Sequence, residues 1–220
     1  MYQYVLFDLD GTLTDPGEGI TNSVMYALRH FGIEETDREK LFSFIGPPLV
    51  DSFMEKYGFS EEDAREATRL FRVYFQERGI FENVPYEGMI ECLNELKERG
   101  HILAVATSKP EVFARRILER FGFLPCFDYV FGASMDETRT RKDEVIAYAL
   151  EEMGVTDRSA CVMVGDRSHD MIGARKNGLD AIGVLFGYGS REELEEAGAR
   201  YIAETVGDLP RILALTTVHE

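Results

Sequence analysis

Two carboxylates, Asp8 and Asp10, stand two residues apart after the apolar run Tyr4-Val5-Leu6-Phe7 and just ahead of Gly11 and Thr12. If the run is a buried strand, strand alternation sends both carboxylates off one face and Leu9 off the other. Two acids in so small a space repel, which either raises one pKa and makes a general acid or creates a seat for a divalent cation. Gly11 lets the backbone approach a ligand closely, and Thr12 can turn its hydroxyl back into the loop. An Asx-type turn, in which aspartates merely satisfy loop amides, explains one such residue better than two.

Three further stretches carry reactive side chains. Ala106-Thr107-Ser108-Lys109-Pro110 closes a second apolar run with hydroxyls and an amine, at the edge where open parallel sheets bind ligands. Helix capping by Ser108 or Lys109, with Pro110 at the first helical position, uses the same amides as anion binding, so a ligand role for Thr107 coexists with it. Arg139, Arg141 and Lys142 form the sharpest basic cluster of the chain, before a helix beginning near Asp143. Cations there oppose the helix dipole, which makes sense beside a bound anion, while a solvated surface run is the plainer reading.

Val162-Met163-Val164 then runs into Gly165-Asp166-Arg167-Ser168-His169-Asp170. The spacing of four suits Asp166 and Asp170 to one helical face. If Asp8, Asp10 and Asp166 converge, hard oxygen ligands select magnesium, which offsets the negative field for an incoming phosphate. Alternatively, Asp166 only caps the following helix. His169 reads as a solvated or capping residue rather than a general base, and His30, His101 and His219 have no polar constellation around them.

The elements that must position these residues follow from periodicity. Short apolar runs at 102–106, 129–131, 161–164 and 181–185 alternate with helical patterns such as 111–121 and 143–153. That alternation predicts an α/β fold, a doubly wound, Rossmann-like parallel sheet. Between the first strand and the second lies far more chain than the dozen or so residues a crossover needs. Segments 21–31, 38–44, 50–57 and 61–78 have helical spacing, broken by Gly32, Gly46-Pro47-Pro48 and Gly58. They predict an all-helical insertion over residues 16–83, leaving 1–15 and 84–220 as a discontinuous core. The two linkers lie side by side in this scheme and form a hinge.

The chain has 220 residues, 40 acidic and 24 basic side chains and a formal charge of −16. Such a field repels nucleic acid and anionic lipid, so a small anion binds only where lysines, dipoles or a metal overturn it. The N-terminal stretch lacks a basic leader, and no apolar run approaches the ~20 residues of a membrane span, so a cytoplasmic protein is expected. Cys92, Cys126 and Cys161 are scattered and read as small buried hydrophobes.

Asp8-Leu9-Asp10-Gly11-Thr12-Leu13, Thr107-Ser108-Lys109, Lys142 and Gly165-Asp166-Arg167-Ser168-His169-Asp170 resemble, in order, the four motifs of the haloacid dehalogenase-like hydrolases. The insertion resembles the helical cap of the branch containing phosphoglycolate phosphatases, and Gly187-Tyr188-Gly189-Ser190 resembles that branch's last loop. The resemblance implies that Asp8 is the nucleophile and Asp10 the acid that protonates the leaving oxygen and later activates water. It implies that Thr107 and Lys142, with Gly11 and Ser108 nearby, hold the phosphoryl group. It also implies a magnesium ion on Asp8, the Asp10 carbonyl and Asp166, with Asp170 close by.

Asp143 follows Lys142 where the family usually has proline, which leaves Arg141 or Arg139 as rival phosphate partners. The second aspartate favours a phosphatase over a dehalogenase. In the insertion, Phe42, Phe44, Phe53, Tyr57, Phe71, Tyr74 and Phe75 read as bundle core, and the uncharged loop Ile45-Gly46-Pro47-Pro48-Leu49 as the specificity element. The expectation is a magnesium-dependent phosphatase, monomeric or homodimeric, acting on a small phosphorylated metabolite such as a nucleoside 5′-monophosphate or phosphoglycolate. A phosphosugar mutase of the β-phosphoglucomutase type, a phosphate-accepting receiver and an inactive binding module are the alternatives.

Overall fold

The computed structural model describes residues 2–136 and 138–215, so His219 and the end of the expected core, 216–220, lie outside the described residues. The strand formers Tyr4-Val5-Leu6-Phe7 make β1 (Tyr4–Phe7), buried from Val5 onward. It is followed by β2 (Thr14–Asp15), β3 (Val84–Pro85), β4 (Ile102–Pro110), β5 (Tyr129–Ala133), β6 (Cys161–Gly165), β7 (Asp180–Val184) and β8 (Tyr201–Ala203). Among the described residues, β1 and β4 to β8 form one six-stranded sheet in the order β5-β4-β1-β6-β7-β8, with every pairing parallel. The chain winds to one side of β1 through β4 and β5, then to the other through β6, β7 and β8. In open α/β sheets, ligands bind at the carboxyl ends of the strands flanking such a reversal.

The chain divides into two compact units, residues 1–14 with 85–220 and residues 15–84. These boundaries differ by one residue at each crossing from those expected of the insertion, because Asp15 and Val84 belong with the helices. The crossings themselves, β2 and β3, pair as a two-stranded sheet.

The insertion consists of α1 (Gly17–His30), α2 (Arg38–Leu41), α3 (Leu49–Tyr57) and α4 (Glu61–Glu77). The single helix expected over 38–44 is instead α2 followed by a 3-10 turn, Phe42–Phe44, because Phe44 and Ile45 turn inward and are buried. Phe44 meets Phe53 edge-on at 5.0 Å, Phe53 stacks on Phe59 at 5.9 Å and Phe71 on Phe75 at 5.6 Å. Of the rings expected in the bundle's core, Phe44, Phe53, Phe71 and Phe75 are buried, while Phe42, Tyr57 and Tyr74 are half-buried at its margin.

The sheet unit adds α5 (Met89–Glu98), α6 (Glu111–Arg120), α7 (Lys142–Glu152), α8 (Ser168–Lys176), α9 (Arg191–Ala197) and α10 (Leu209–Leu215). Leu6, Ala104, Ala106 and Met163 pack against Val145, Ile146, Ala149 and Met171 of α7 and α8. Val5 and Phe7 take the opposite face, where Phe7 meets Phe127 edge-on at 6.1 Å. Two sequence readings change here. Strand β4 continues through Pro110, which caps α6 rather than opening it, and the short edge strand β8 had no periodic signal in its three residues.

Candidate active site

Register brings the candidate residues to one level. Phe7 is aligned with Val105 on one side and Val164 on the other, so the next residues along are Asp8, Ala106 and Gly165. Strand β1 ends at Phe7, and Asp8 already belongs to the turn that leaves it. Its amide still donates to Val164 O at 2.9 Å. Leu9 O then collects the amides of Thr12, Leu13 and Thr14, which folds residues 8–14 tightly over the strand end. Asp8 therefore keeps the strand's alternation and lies on the Leu6 face, toward α7 and α8. The turn carries Asp10, with Gly11 at φ +82° and so close to Asp166 that a Cβ would lie 2.1 Å from its Oδ2.

Lys142, the first residue of α7, reaches under this turn. Its buried Nζ lies 2.6 Å from Asp8 Oδ1, 2.9 Å from Asp170 Oδ1 and 3.1 Å from Ala106 O, which occupies the ammonium's three donors. Burial alone lowers a lysine pKa, but Asp170 and Asp8 outweigh it and hold Lys142 above the ordinary value. The rival arginines are placed elsewhere. Arg139 donates to Gly132 O and lies 3.8 Å over the Tyr148 ring, and Arg141 is exposed and faces Asp143 at 3.5 Å.

Asp166 and Asp170 are fully buried, though not on one helical face as their spacing suggested, because α8 starts only at Ser168. Asp170 sits in its first turn and accepts from the Arg167 amide at 3.1 Å. Asp166 does not cap the helix. Its Oδ2 accepts from the Tyr188 amide at 2.8 Å, and its Oδ1 lies 3.5 Å from the Thr12 hydroxyl. Asp8, Asp166 and Asp170 each present an oxygen within 4.8 Å of the others. Burial, aggravated by Asp170 and Asp8, pushes the Asp166 carboxyl well above the ordinary range, and burial raises Asp170 to about 6 despite Lys142.

Asp10 is also buried, and its carboxylate is tied to Lys109, read from the sequence as an amine at the sheet edge or a helix cap: Lys109 Nζ lies 2.8 Å from Asp10 Oδ2. Burial raises the Asp10 pKa against the pull of Lys109. Oδ1 of Asp10 has no hydrogen-bond partner among the described residues. Thr107 is buried one residue beyond Ala106, its hydroxyl accepting from the Lys109 amide at 3.2 Å, and Ser108 is half-buried after it. His169 is exposed on α8, His30 is exposed beside Tyr26 O and His101 is buried against Tyr2 O. All three cysteines are buried and free, and burial lifts the Cys92 and Cys161 thiols to about 12. Neither residue type contributes to the cluster among the described residues.

Four buried carboxylates thus face two buried ammoniums. The excess of two negative charges, concentrated in a trio of hard oxygen donors, fits a divalent cation of the magnesium kind. It does not fit a soft metal, which would favour sulfur or imidazole.

Comparison with known proteins gives the family. The haloacid dehalogenase-like hydrolase family matches residues 5–184. Over 212 residues the chain is 46% identical to a 5′-nucleotidase of Pseudomonas aeruginosa, covering 96% of each protein. Over 215 residues it is 38% identical to the tyrosine-protein kinase PtkA of Mycobacterium tuberculosis, covering 97% of this chain and 73% of the kinase. The solved structure of a predicted phosphatase from Clostridium acetobutylicum superposes with a TM-score of 0.94 at 49% identity, covering 97% of this chain and 99% of that one. The chain belongs to the haloacid dehalogenase-like hydrolases. Among its described residues no helix is long and apolar enough to cross a membrane.

Proposed function

We propose that this chain, a phosphatase of the haloacid dehalogenase-like family, hydrolyses small phosphomonoesters through an aspartyl-phosphate on Asp8, with nucleoside 5′-monophosphates ahead of phosphoglycolate as substrates. The observation that carries the reading is the position of Asp8 at the carboxyl end of the central strand, against Lys142 and beside Asp166 and Asp170. A carboxylate oxygen of Asp8 attacks phosphorus, the ester P–O bond breaks, and Asp10 gives its proton to the departing alkoxide. Water then attacks the phosphoaspartate, Asp10 takes up the water proton, and phosphate leaves with Asp8 restored.

Lys142 neutralises charge on Asp8 and on the transferring group, the Thr107 hydroxyl and the Gly11 and Ser108 region cradle its oxygens, and Lys109 orients Asp10. Asp8, the Asp10 carbonyl, Asp166 and Asp170 would hold Mg2+, which supplies positive charge beside the phosphoryl oxygens when bound. The nucleotide preference rests on the 5′-nucleotidase relative and on the absence of charge in Ile45-Gly46-Pro47-Pro48-Leu49, the proposed specificity loop, which offers nothing to a substrate carboxylate. The field of a chain at −16 suits a small metabolite in the cytoplasm better than nucleic acid or a membrane surface.

The test is phosphate release from nucleotides, sugar phosphates and phosphoglycolate, with and without Mg2+. Asp8→Asn is expected to lose at least about a thousandfold in kcat, and wild-type turnover of every compound by this variant would remove Asp8 from the role. A returned phosphosugar isomer with little free phosphate would mark a mutase. Transfer to a tyrosine hydroxyl, the activity named for the PtkA relative, would leave phosphoprotein instead of phosphate.

A further inference from the structure

The segment bearing Asp166 and Asp170, a loop and the first turn of α8, is held from outside by the acidic side chain of Glu193, which has no role in catalysis as proposed. Glu193, on α9, accepts from the Ser168 amide at 2.8 Å and pairs with Arg167 Nε at 3.0 Å, both through Oε1. Arg167 and Ser168 are two of the three residues between Asp166 and Asp170. The pair is largely shielded, with side-chain exposures of 18% and 26%. Such a charge-assisted bond is stronger and more directional than a surface ion pair.

The segment leading into α9 fastens the same loop at a second point. The Tyr188 amide donates to Asp166 Oδ2 at 2.8 Å. On either side, Gly187 and Gly189 lie so close that a Cβ on the first would sit 2.4 Å from Asp166 Cβ and on the second 2.0 Å from Asp166 O. Ser190 then caps α9 by accepting from the Glu193 amide at 3.1 Å, which fixes where the Glu193 side chain begins. One continuous piece, residues 187–193, therefore grips Asp166 by its carboxylate and backbone and grips the next two residues by a carboxylate of its own. Asp170 is tied into the same unit through the Arg167 amide.

We infer that Glu193 is a positioning residue for the cation site: by clamping Arg167 and Ser168 it keeps the Asp166 and Asp170 oxygens converged with Asp8. The inference rests on the reading that Asp8, Asp166 and Asp170 bind Mg2+. Outer partners that orient metal ligands are commonly worth tenfold to a hundredfold in affinity. Glu193 touches neither substrate nor cation, so its loss acts on the cation requirement and leaves phosphomonoester recognition alone.

The experiment measures Mg2+ binding to the intact protein by calorimetry, and the Mg2+-induced rise in melting temperature, for wild type, Glu193→Ala and Glu193→Gln. The substrate KM is measured separately at saturating Mg2+. Glu193→Ala is expected to weaken Mg2+ binding about tenfold to a hundredfold with little change in that KM. Glu193→Gln keeps an acceptor for the Ser168 amide but loses the charge facing Arg167, so it falls between. A lower melting temperature in Glu193→Ala with wild-type Mg2+ affinity would reduce Glu193 to a structural role and overturn the inference. Should the alanine variant fail to fold, wild-type affinity in Glu193→Gln overturns it equally. A wild-type protein that takes up no Mg2+ overturns both this inference and the cation reading beneath it, whereas normal uptake in all variants overturns only this one.

Discussion

In residues 15–84 none of the charged residues is buried, whereas at the carboxyl ends of β1, β4 and β6 four aspartates and Lys142 are, and the Lys109 side chain is only 8% exposed. The insertion's ion pairs, such as Arg65 with Glu61 and Arg69 with Glu66, lie along exposed helix faces at i,i+4 and i,i+3. Pairs of that kind are solvated and screened and contribute little. Its cohesion comes from Phe44, Phe53, Phe71 and Phe75. The sheet edge does the opposite. It removes carboxylates from water, raises Asp10, Asp166 and Asp170 above their ordinary range, and balances them with too few cations. Packing alone gives no reason for such an arrangement, since buried charges are costly even when paired. The difference separates a region whose charges stay in solvent from one that buries them, the region proposed to hold the cation and the phosphoryl group.

The largest effect that can break this comparison belongs to Lys142. Lys142→Ala leaves Asp8 and Asp170 facing each other without their shared ammonium, and loss of one partner of a buried pair costs about 3–5 kcal/mol. Turnover should also fall about a hundredfold to a thousandfold, as when a charge-stabilising donor is removed. Arg141→Ala, one residue away and exposed, should change stability by less than about 0.5 kcal/mol and leave phosphate release as in wild type. Urea melts and steady-state assays of both variants decide the matter. Equal losses in the two would mean that Arg141 shares the phosphate and that the buried lysine is not special.

Next in size is a substitution in the other region. Phe53 is fully buried between Phe44 and Phe59, and Phe→Ala at such a site costs about 3–5 kcal/mol. The melting transition of Phe53→Ala should drop accordingly, while the additional stabilisation conferred by Mg2+ stays as in wild type. Loss of that increment would show that aromatic packing in the insertion and charge at the sheet edge are not independent.

What the sequence made legible follows the same division. β1, the recurring strands and the helical insertion were readable because runs of buried apolar residues carry their period with them, and Phe44, Phe53 and Phe75 went where helical spacing put them. Asp8, Asp10, Asp166 and Asp170 were readable as types at strand ends. Their geometry was not. Asp10 is carried by a turn, and Asp166 precedes the helix whose first turn holds Asp170. Lys142 could not be told from Arg139 and Arg141 by composition, because the choice depends on which side chain α7 directs under β1. The pairing of Lys109 with Asp10 and any role for Glu193 were missed, since the partners, Asp10 and Arg167, are remote in sequence and near only after the sheet forms.

The smallest effect sharpens the comparison through pH. An aspartate ordinarily titrates near about 4, whereas burial raises Asp170 to about 6 in the folded protein. Between those values the folded state keeps a proton that the unfolded state has lost, so without a cation stability falls as pH rises through that window. Mg2+ must displace this proton to reach the same oxygens. At about pH 5 a group titrating near 6 competes roughly tenfold for the cation, and at about pH 7.5 the competition is negligible. Mg2+ should therefore raise the melting temperature by more at the higher pH, in wild type and in Phe53→Ala alike. An equal rise at both pH values would mean that the Asp170 carboxylate does not meet the cation, and the charge excess at the sheet edge would then belong to the protein's own balance with Lys142 and Lys109.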